Sequence, residues 1–351
     1  MPVIAQRLKH ARLMRGFSLQ DLADELDNKI SRQALHKYEK GKVEPTNSMI
    51  QDIADTLDLK PDYFYRDREV EIKEVSFRKL SKLSKKEQNR IIETARDFLE
   101  RYLELEQIIG KPTTIENPLK GIDIADKEDV ERAAQQLRKK WELGTDPLYN
   151  VLELLEDQGI KIIEMEVNSN VDGLSTWIEN SIPVIALNKS LKKHLDRYRF
   201  TTLHELGHLF LNIDQFSKKE QEKLCNHFAG AMLLDKRTIE QEIGLKRNKI
   251  SLQELSSIKQ QYGISIQAII YRCRELKIIS QKTYKSFFQF VEQNELKTDE
   301  SNIAKYKGDE KALRFDQLLG QALAEEYITI SKAAVLKNQR LTKFRKEFLL
   351  G

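Results

Sequence analysis

The chain has little of what would place it in an oxidising compartment or in a membrane. Only two of its 351 residues are cysteine, Cys225 and Cys273, in neither CxxC nor framework spacing, which excludes a disulfide scaffold and a structural cysteine-zinc site. No run approaches the roughly 18 apolar residues that a membrane-crossing helix needs. The opening MPVIAQRLKHARL reads as an amphipathic helix rather than a signal peptide. A cytoplasmic protein with no membrane partner is the expectation. Proline (7) and glycine (14) are sparse, so little interrupts the three-and-four spacing of apolar residues, and the chain should be mainly helical. There is no excess of one charge: 59 Lys and Arg oppose 55 Asp and Glu, a net of +4. That is too balanced for the whole surface to attract nucleic acid, so any DNA binding must be local.

The length leaves room for two or three domains. Helical periodicity breaks in the middle, where IKIIEMEV, DGLSTWIE and IPVIAL are short β-branched and aromatic runs separated by Asn, Ser and Gly. The expected fold is mainly α with a central α+β domain, an N-terminal five-helix domain and a helical C-terminal extension. The expected segments are 1–68 (compact helical unit), 69–125 (charged helical connector), 126–250 (α/β unit), 251–290 (helical unit) and 291–351 (linker and helices). The polar run QNELKTDESN is the linker.

Within the first segment, Ser18 and Asp21 form a capping box that opens SLQDLADEL, with Leu19, Leu22, Ala23 and Leu26 facing inward. After the turn DNKI, Ser31 opens SRQALHKYEKG, where Ala34, Leu35 and Tyr38 pack while Arg32, Gln33, His36 and Lys37 point outward. Arg pairs bidentately with guanine, Gln with adenine, and Lys and His reach phosphates or bases. Residues 1–42 carry nine Lys/Arg against five Asp/Glu, whereas residues 43–68 carry three against six, so the basic charge is concentrated beside this helix. This stretch, with the following Pro45, resembles the XRE or phage-repressor-like helix-turn-helix family. The resemblance implies that Arg32, Gln33 and Lys37 occupy base-contacting positions on double-stranded operator DNA, and that Glu39 and Gly41 end the motif. The turn DNKI is longer than the family's usual one.

The connector runs from Ser84 to Gly110 without a breaker, and Ile91, Ala95, Phe98, Tyr102, Leu105 and Ile109 alternate spacings of four and three. Such a seam suits a homodimer that reads two half-sites. The second stripe, Ile92, Leu99 and Leu103, broadens the apolar face and equally suits a helix lying on its own domain.

Four of the six histidines, His194, His204, His208 and His227, fall in one short stretch, and His204-Glu205-Leu206-Gly207-His208 is HExxH. Positions i and i+4 of a helix lie about 40° apart, so both imidazoles can bind one Zn2+ while Glu205 aims at the ion's open position as general base. A third ligand is needed, and KKEQEKLCNHFAGAMLL offers Glu220, Glu222, Cys225 and His227. Glu222 and Asn226 share a face, whereas His227 is rotated about 140° from Glu222, which favours Glu222 as ligand and Asn226 as an orienting partner of a histidine. Cys225 is the runner-up ligand or a small core thiol. His194 and His10 are expected at the surface. Tyr198, Arg197 and Arg199 are nearby donors for an oxyanion, with nothing to choose among them. The strand from Gly173 to Trp177 could pair with an extended substrate.

DRYRFTTLHELGHLFL followed by EKLCNHFAGAMLL, with the preceding DGLS and PVIALN, resembles the ImmA/IrrE metallopeptidase family, a minimal zincin. The resemblance implies His204, His208 and Glu222 as metal ligands and Glu205 as general base, with Asn226 where the family has Asn or Asp. Asp235 replaces the family's usual Pro after the Leu-Leu pair. Farther on, Ser251 and Glu254 form a capping box, Gly263 makes a turn and Ser265 caps a helix-turn-helix-shaped pair of mixed charge. RFDQLLGQALAEEYITISKAAVLKN resembles the terminal helices of fused regulators of this kind. Together the resemblances imply a transcriptional regulator that binds DNA and carries a zinc metalloendopeptidase domain, cleaving a partner repressor or itself. The alternative is a DNA-binding antitoxin or autorepressor whose zincin domain binds a partner toxin without turnover.

Overall fold

Most helices begin at a Ser, Thr, Asn or Asp whose side chain accepts a first-turn N–H, so their starting points are locally encoded. In the computed structural model, residues 3–66, 83–166, 171–293, 300 and 303–348 are described. The first part of the expected connector and most of the expected linker near 293–302 lie outside the described residues. The fold is mainly α with a small central sheet, as expected. The N-terminal unit consists of α1 (Val3–Met14), α2 (Leu19–Glu25), α3 (Arg32–Glu39), α4 (Asn47–Thr56) and a 3-10 turn (Pro61–Tyr65). Leu8, Ala11, Leu22, Ala23, Leu35 and Ile53 form its core.

The long turn between α2 and α3 is accommodated by two successive left-handed residues, Asp27 (φ 53°) and Asn28 (φ 55°). These residue types tolerate that region because their short polar side chains bond locally. The end of α3 is tied back to α1 by a bidentate pair, with Arg12 donating to both oxygens of Glu39 at 2.6 and 2.9 Å.

The connector helix is α5 (Lys85–Ile109), opened by a Ser84/Glu87 capping box and closed by Gly110 in the left-handed region. Tyr102 and Leu105, with Phe98 and Ile109, pack into a cluster with C-terminal residues such as Phe315, Leu319 and Phe344. Ile91, Ala95 and Leu99 are also buried. The seam is therefore covered by this chain's own elements. α1 docks on α5 through polar contacts: Arg7 to Glu100 (2.5 Å) and Arg96 to the His10 ring (3.1 Å). His10 is thus a correction to the sequence reading. It is held between two helices rather than at the surface, and burial next to Arg96 and Arg7 pushes its imidazole down to about 3.

The central unit contains α6 (Lys127–Lys140), α7 (Val151–Asp157), β1 (Lys161–Met165), β2 (Gly173–Ile178), β3 (Ile182–Asn188), α8 (Leu195–Phe210), α9 (Lys218–Leu233), α10 (Lys236–Ile243), α11 (Leu252–Tyr262), α12 (Ile266–Glu275) and α13 (Gln281–Gln293). The sheet order is β1-β3-β2. β3, buried along its whole length, pairs parallel with β1 and antiparallel with β2. The β2–β3 hairpin turns at Glu179 and Asn180, both with positive φ, matching the right-handed twist of the strands. β2 is left at an edge. One core unites residues of α6 to α9 with Leu255, Ile258, Ile269 and Cys273 of α11 and α12.

The chain ends in α14 (Arg314–Ala324), α15 (Ile330–Leu336) and α16 (Leu341–Phe348). Residues 1–113 and 314–351 form one compact unit, and residues 114–313 form the other.

Candidate functional site

The site is built where α8 is pinned between a strand and a helix. On β2, the residues that alternate onto one face, Gly173, Ser175 and Trp177, each meet α8. A Cβ on Gly173 would lie 2.9 Å from Cγ of Glu205 and 3.0 Å from the Thr201 methyl. Ser175 Oγ donates to Glu205 Oε2 at 2.8 Å, and Trp177 Nε1 donates to the carbonyl of Leu209 at 3.1 Å. Residues two apart on a strand span about 6.8 Å and residues four apart on a helix about 6 Å, so positions 173, 175 and 177 keep step with 201, 205 and 209. On the opposite side, α9 crosses at Gly207, where a Cβ would lie 3.3 Å from the Cα and Sγ of Cys225. The glycine inside HELGH is what allows the two helices to approach this closely. Cys225, the weaker ligand candidate, is a fully buried part of that crossing and stands outside the metal-competent cluster.

The crossing brings His204, His208 and Glu222 together with their ligand atoms all within 4.8 Å of one another. His204 Nε2 and His208 Nε2 are 3.1 Å apart, and the Glu222 oxygens lie 3.3 Å from the first and 3.2 Å from the second. Ligand atoms placed 2.0–2.1 Å from a tetrahedral zinc stand about 3.3 Å from each other, so the triangle fits such an ion. Asn226 strengthens the fit. Its Oδ1 accepts from Nδ1–H of His204 at 2.8 Å, which leaves the Nε2 lone pair facing the cluster. His204 and Glu205 are buried, whereas Glu222 is exposed, so the cluster opens on the Glu222 side.

His227 is drawn into a separate polar node. Its Nδ1 meets Glu275 at 2.8 Å and its Nε2 meets Glu131 at 3.0 Å, while Arg272 donates to Glu131 and Lys127 to Glu275. Against the cost of burial, bonds from His227 and Arg272 hold the Glu131 carboxyl down at about 2. The two carboxylates likewise outweigh the burial that would lower the imidazole and raise its pKa above the usual value.

All three candidate oxyanion donors are engaged elsewhere. Tyr198 bonds Glu164 at 2.5 Å, Arg197 pairs with Asp172 at 2.5 Å, and the fully buried Arg199 pairs with Glu310. His194 lines a cavity of about 610 Å³ at the start of α8 whose lining includes none of the three clustered residues. Asp235, where the resembled family has Pro, caps α10 by accepting from the N–H of Arg237 at 2.8 Å.

In the N-terminal unit, Arg32, Gln33, His36 and Lys37 are all exposed on α3, while Leu35 and Glu39 face inward. Sequence reading missed the roles of Gly173, Ser175 and Arg12. DGLS was visible as a strand, but only the hairpin carries it to Glu205.

Comparison with protein families gives two matches. Residues 155–274 match the peptidase M78 model, described as the IrrE N-terminal-like domain. Residues 8–64 match a helix-turn-helix model. No curated protein matches the chain. The chain therefore joins a helix-turn-helix DNA-binding segment of XRE type to an ImmA/IrrE-like, metallopeptidase-type domain, in the order that the sequence resemblance implied. The peptidase match runs through α12, and no described helix is long and apolar enough to cross a membrane.

Proposed function

We propose that this protein is a cytoplasmic, sequence-specific transcriptional regulator whose zinc-dependent endopeptidase domain cleaves a partner repressor or the chain itself. The observation that carries the reading is the convergence of His204, His208 and Glu222 with Glu205 held at their side by Ser175. These three residues would hold Zn2+, with Asn226 fixing the His204 tautomer. Bound zinc supplies Lewis-acid polarisation of a peptide carbonyl and a lowered pKa for its water. Glu205 takes the proton of the attacking water and returns it to the leaving amine, a shuttle for which one carboxylate suffices. Ser175 keeps that carboxylate from swinging away. The edge strand β2, in line with Glu205, offers backbone N–H and C=O groups to an extended peptide.

DNA recognition falls to α3, with Arg32 and Gln33 reading bases and His36 and Lys37 meeting phosphates or bases of an operator. A homodimer would present two such helices to two half-sites. Because the α5 seam is covered within the chain, a dimer would use another surface.

The test is intact-mass analysis after co-expression with the neighbouring gene's product, comparing wild type with Glu205→Gln. New fragments of either protein in wild type alone are expected. A stable complex without fragments in both versions would overturn turnover and favour the antitoxin-like, partner-binding reading.

A further inference from the structure

The C-terminal helices repeat the design of the N-terminal helix-turn-helix, with helices of the same lengths and a shorter turn. α15 is capped by Thr329 and carries two fully buried alanines, Ala333 and Ala334. Residues 337–340 then turn the chain, with Asn338 in the left-handed region at φ 54°, and α16 follows with Phe344 buried to 0% as its anchor. A short turn of this length is what joins the two helices of a helix-turn-helix, and small residues on the first helix let the second approach. In α2 and α3 the same parts are Ala23, the left-handed Asp27 and Asn28, and the buried Leu35. α14 completes a three-helix core through Phe315, Leu318, Leu319 and Ala322. Both helix-turn-helix pairs belong to the same compact unit.

The charge of the second pair is one-sided. Residues 330–347 carry six cations, Lys332, Lys337, Arg340, Lys343, Arg345 and Lys346, against one anion, Glu347. Around the buried Phe344, the residues Thr342, Lys343, Arg345 and Lys346 are exposed. Lys332 pairs with Glu104 and Lys337 with Asp316, so these two cations are committed within the unit. Among the described residues, Arg345 and Lys346 enter no ion pair, and Lys343 meets only the exposed Glu347 of its own helix at 3.7 Å. A chain with a net charge of only +4 has no general surplus to place here, so this basic face is a local feature.

We propose that α16 is a second DNA-contacting helix, laying Lys343, Arg345 and Lys346 on duplex phosphates. The proposal rests on the reading of the N-terminal unit as DNA-binding and extends the footprint of that unit to the far end of the chain.

The test is the salt dependence of full-length protein binding to a fluorescein-labelled, mixed-sequence DNA duplex, followed by anisotropy between about 50 and 200 mM salt. Each phosphate contact contributes about 0.9 to the slope of log K against log salt. The triple variant K343A/R345A/K346A should lower that slope by about 2 to 3 and weaken binding about tenfold or more at the lowest salt. It should melt like wild type, because it leaves Phe344 in place. K246A/K249A/K282A removes three exposed lysines of the other compact unit and should leave the slope within about 0.5 of wild type. An unchanged slope in the α16 variant, or an equal drop in the control, overturns the proposal. R32A/K37A separates the two readings. If it lowers the slope while the α16 variant does not, the N-terminal reading stands and this one falls. Wild type that fails to bind at the lowest salt ends both.

Discussion

Ser175 and Glu205, thirty positions apart in the chain, share a hydrogen bond of 2.8 Å that joins the edge strand to the helix bearing HExxH. It gives the carboxylate a second point of attachment beyond its own backbone. Gly173, on the same strand face, leaves just enough space for the Glu205 side chain. Ser175→Ala should therefore lower kcat about tenfold or more with KM and zinc content unchanged, since misplacement of a catalytic group costs rate rather than binding. Ser175→Thr, which keeps the hydroxyl, should recover most of it. Gly173→Ala should be worse than Ser175→Ala, because its methyl meets Glu205 directly. Single-turnover cleavage of the substrate found by co-expression is the measurement, and a loss confined to KM would contradict the positioning role.

Asn226 acts through His204. Removing the acceptor of Nδ1–H frees the ring to turn and lowers the basicity of Nε2, effects that typically cost 10–100-fold in metal affinity. Asn226→Ala should weaken zinc binding by about that factor in a chelator competition, while Asn226→Asp should match or exceed wild type. Asn226 is exposed, so its replacement should leave the metal-free melting temperature unchanged.

The His227 node should make stability depend on pH with a definite sign. Its folded pKa is raised by Glu131 and Glu275 against the opposing influence of Arg272. The stabilisation is thus complete below the unfolded value near 6.5 and is lost as pH rises through the raised one. Glu131, at about 2, and Glu275, also lowered, contribute above their unfolded value of 4.5 and lose that contribution as pH falls through the folded ones. The node is strongest between roughly pH 4.5 and 6.5. His227→Gln should cost about 3–5 kcal/mol in urea melts at pH 5.5, as expected for carboxylates stripped of a buried partner, and clearly less at pH 8.5. Equal losses at both pH values would rule out a charged His227.

On α3, the exposed side chains predict two distinct phenotypes. Arg32→Ala or Gln33→Ala should lose about 1–3 kcal/mol of discrimination at one base pair, whereas Lys37→Ala should weaken all sequences alike. Selection of binding sites from a random duplex pool reads both, and an unchanged preference in the first two would remove α3 from base reading.

Much of this architecture was legible because its determinants are local. Ser18 with Asp21, Ser31 and Ser251 with Glu254 announce helix starts, and each cap forms. HExxH puts its two imidazoles on one helical face whatever surrounds it, and the spacing of Glu222 and Asn226 puts both on one face of the next helix. The α5 seam was ambiguous for the same reason. Periodicity reports that a face is apolar but not what covers it, and here α14 to α16, some two hundred residues later, cover its second half, while α1 also packs on the helix.

By itself, then, the sequence determined the helices and their caps, the three strands, the outward set Arg32, Gln33, His36 and Lys37, and the pairing of His204 with His208. All of these follow from the periods of helix and strand and from side chains reaching their own backbone. Only the tertiary structure decided that Ser175 and Gly173 frame Glu205, that Gly207 admits Cys225 of α9, and that His10 is half-buried against α5. It also decided that Arg199 is sealed away by Glu310 and that His227 answers to Glu131 and Glu275. Each of these depends on a contact between residues far apart in the chain, and such contacts are set by how closely packed elements can approach, which no local spacing records.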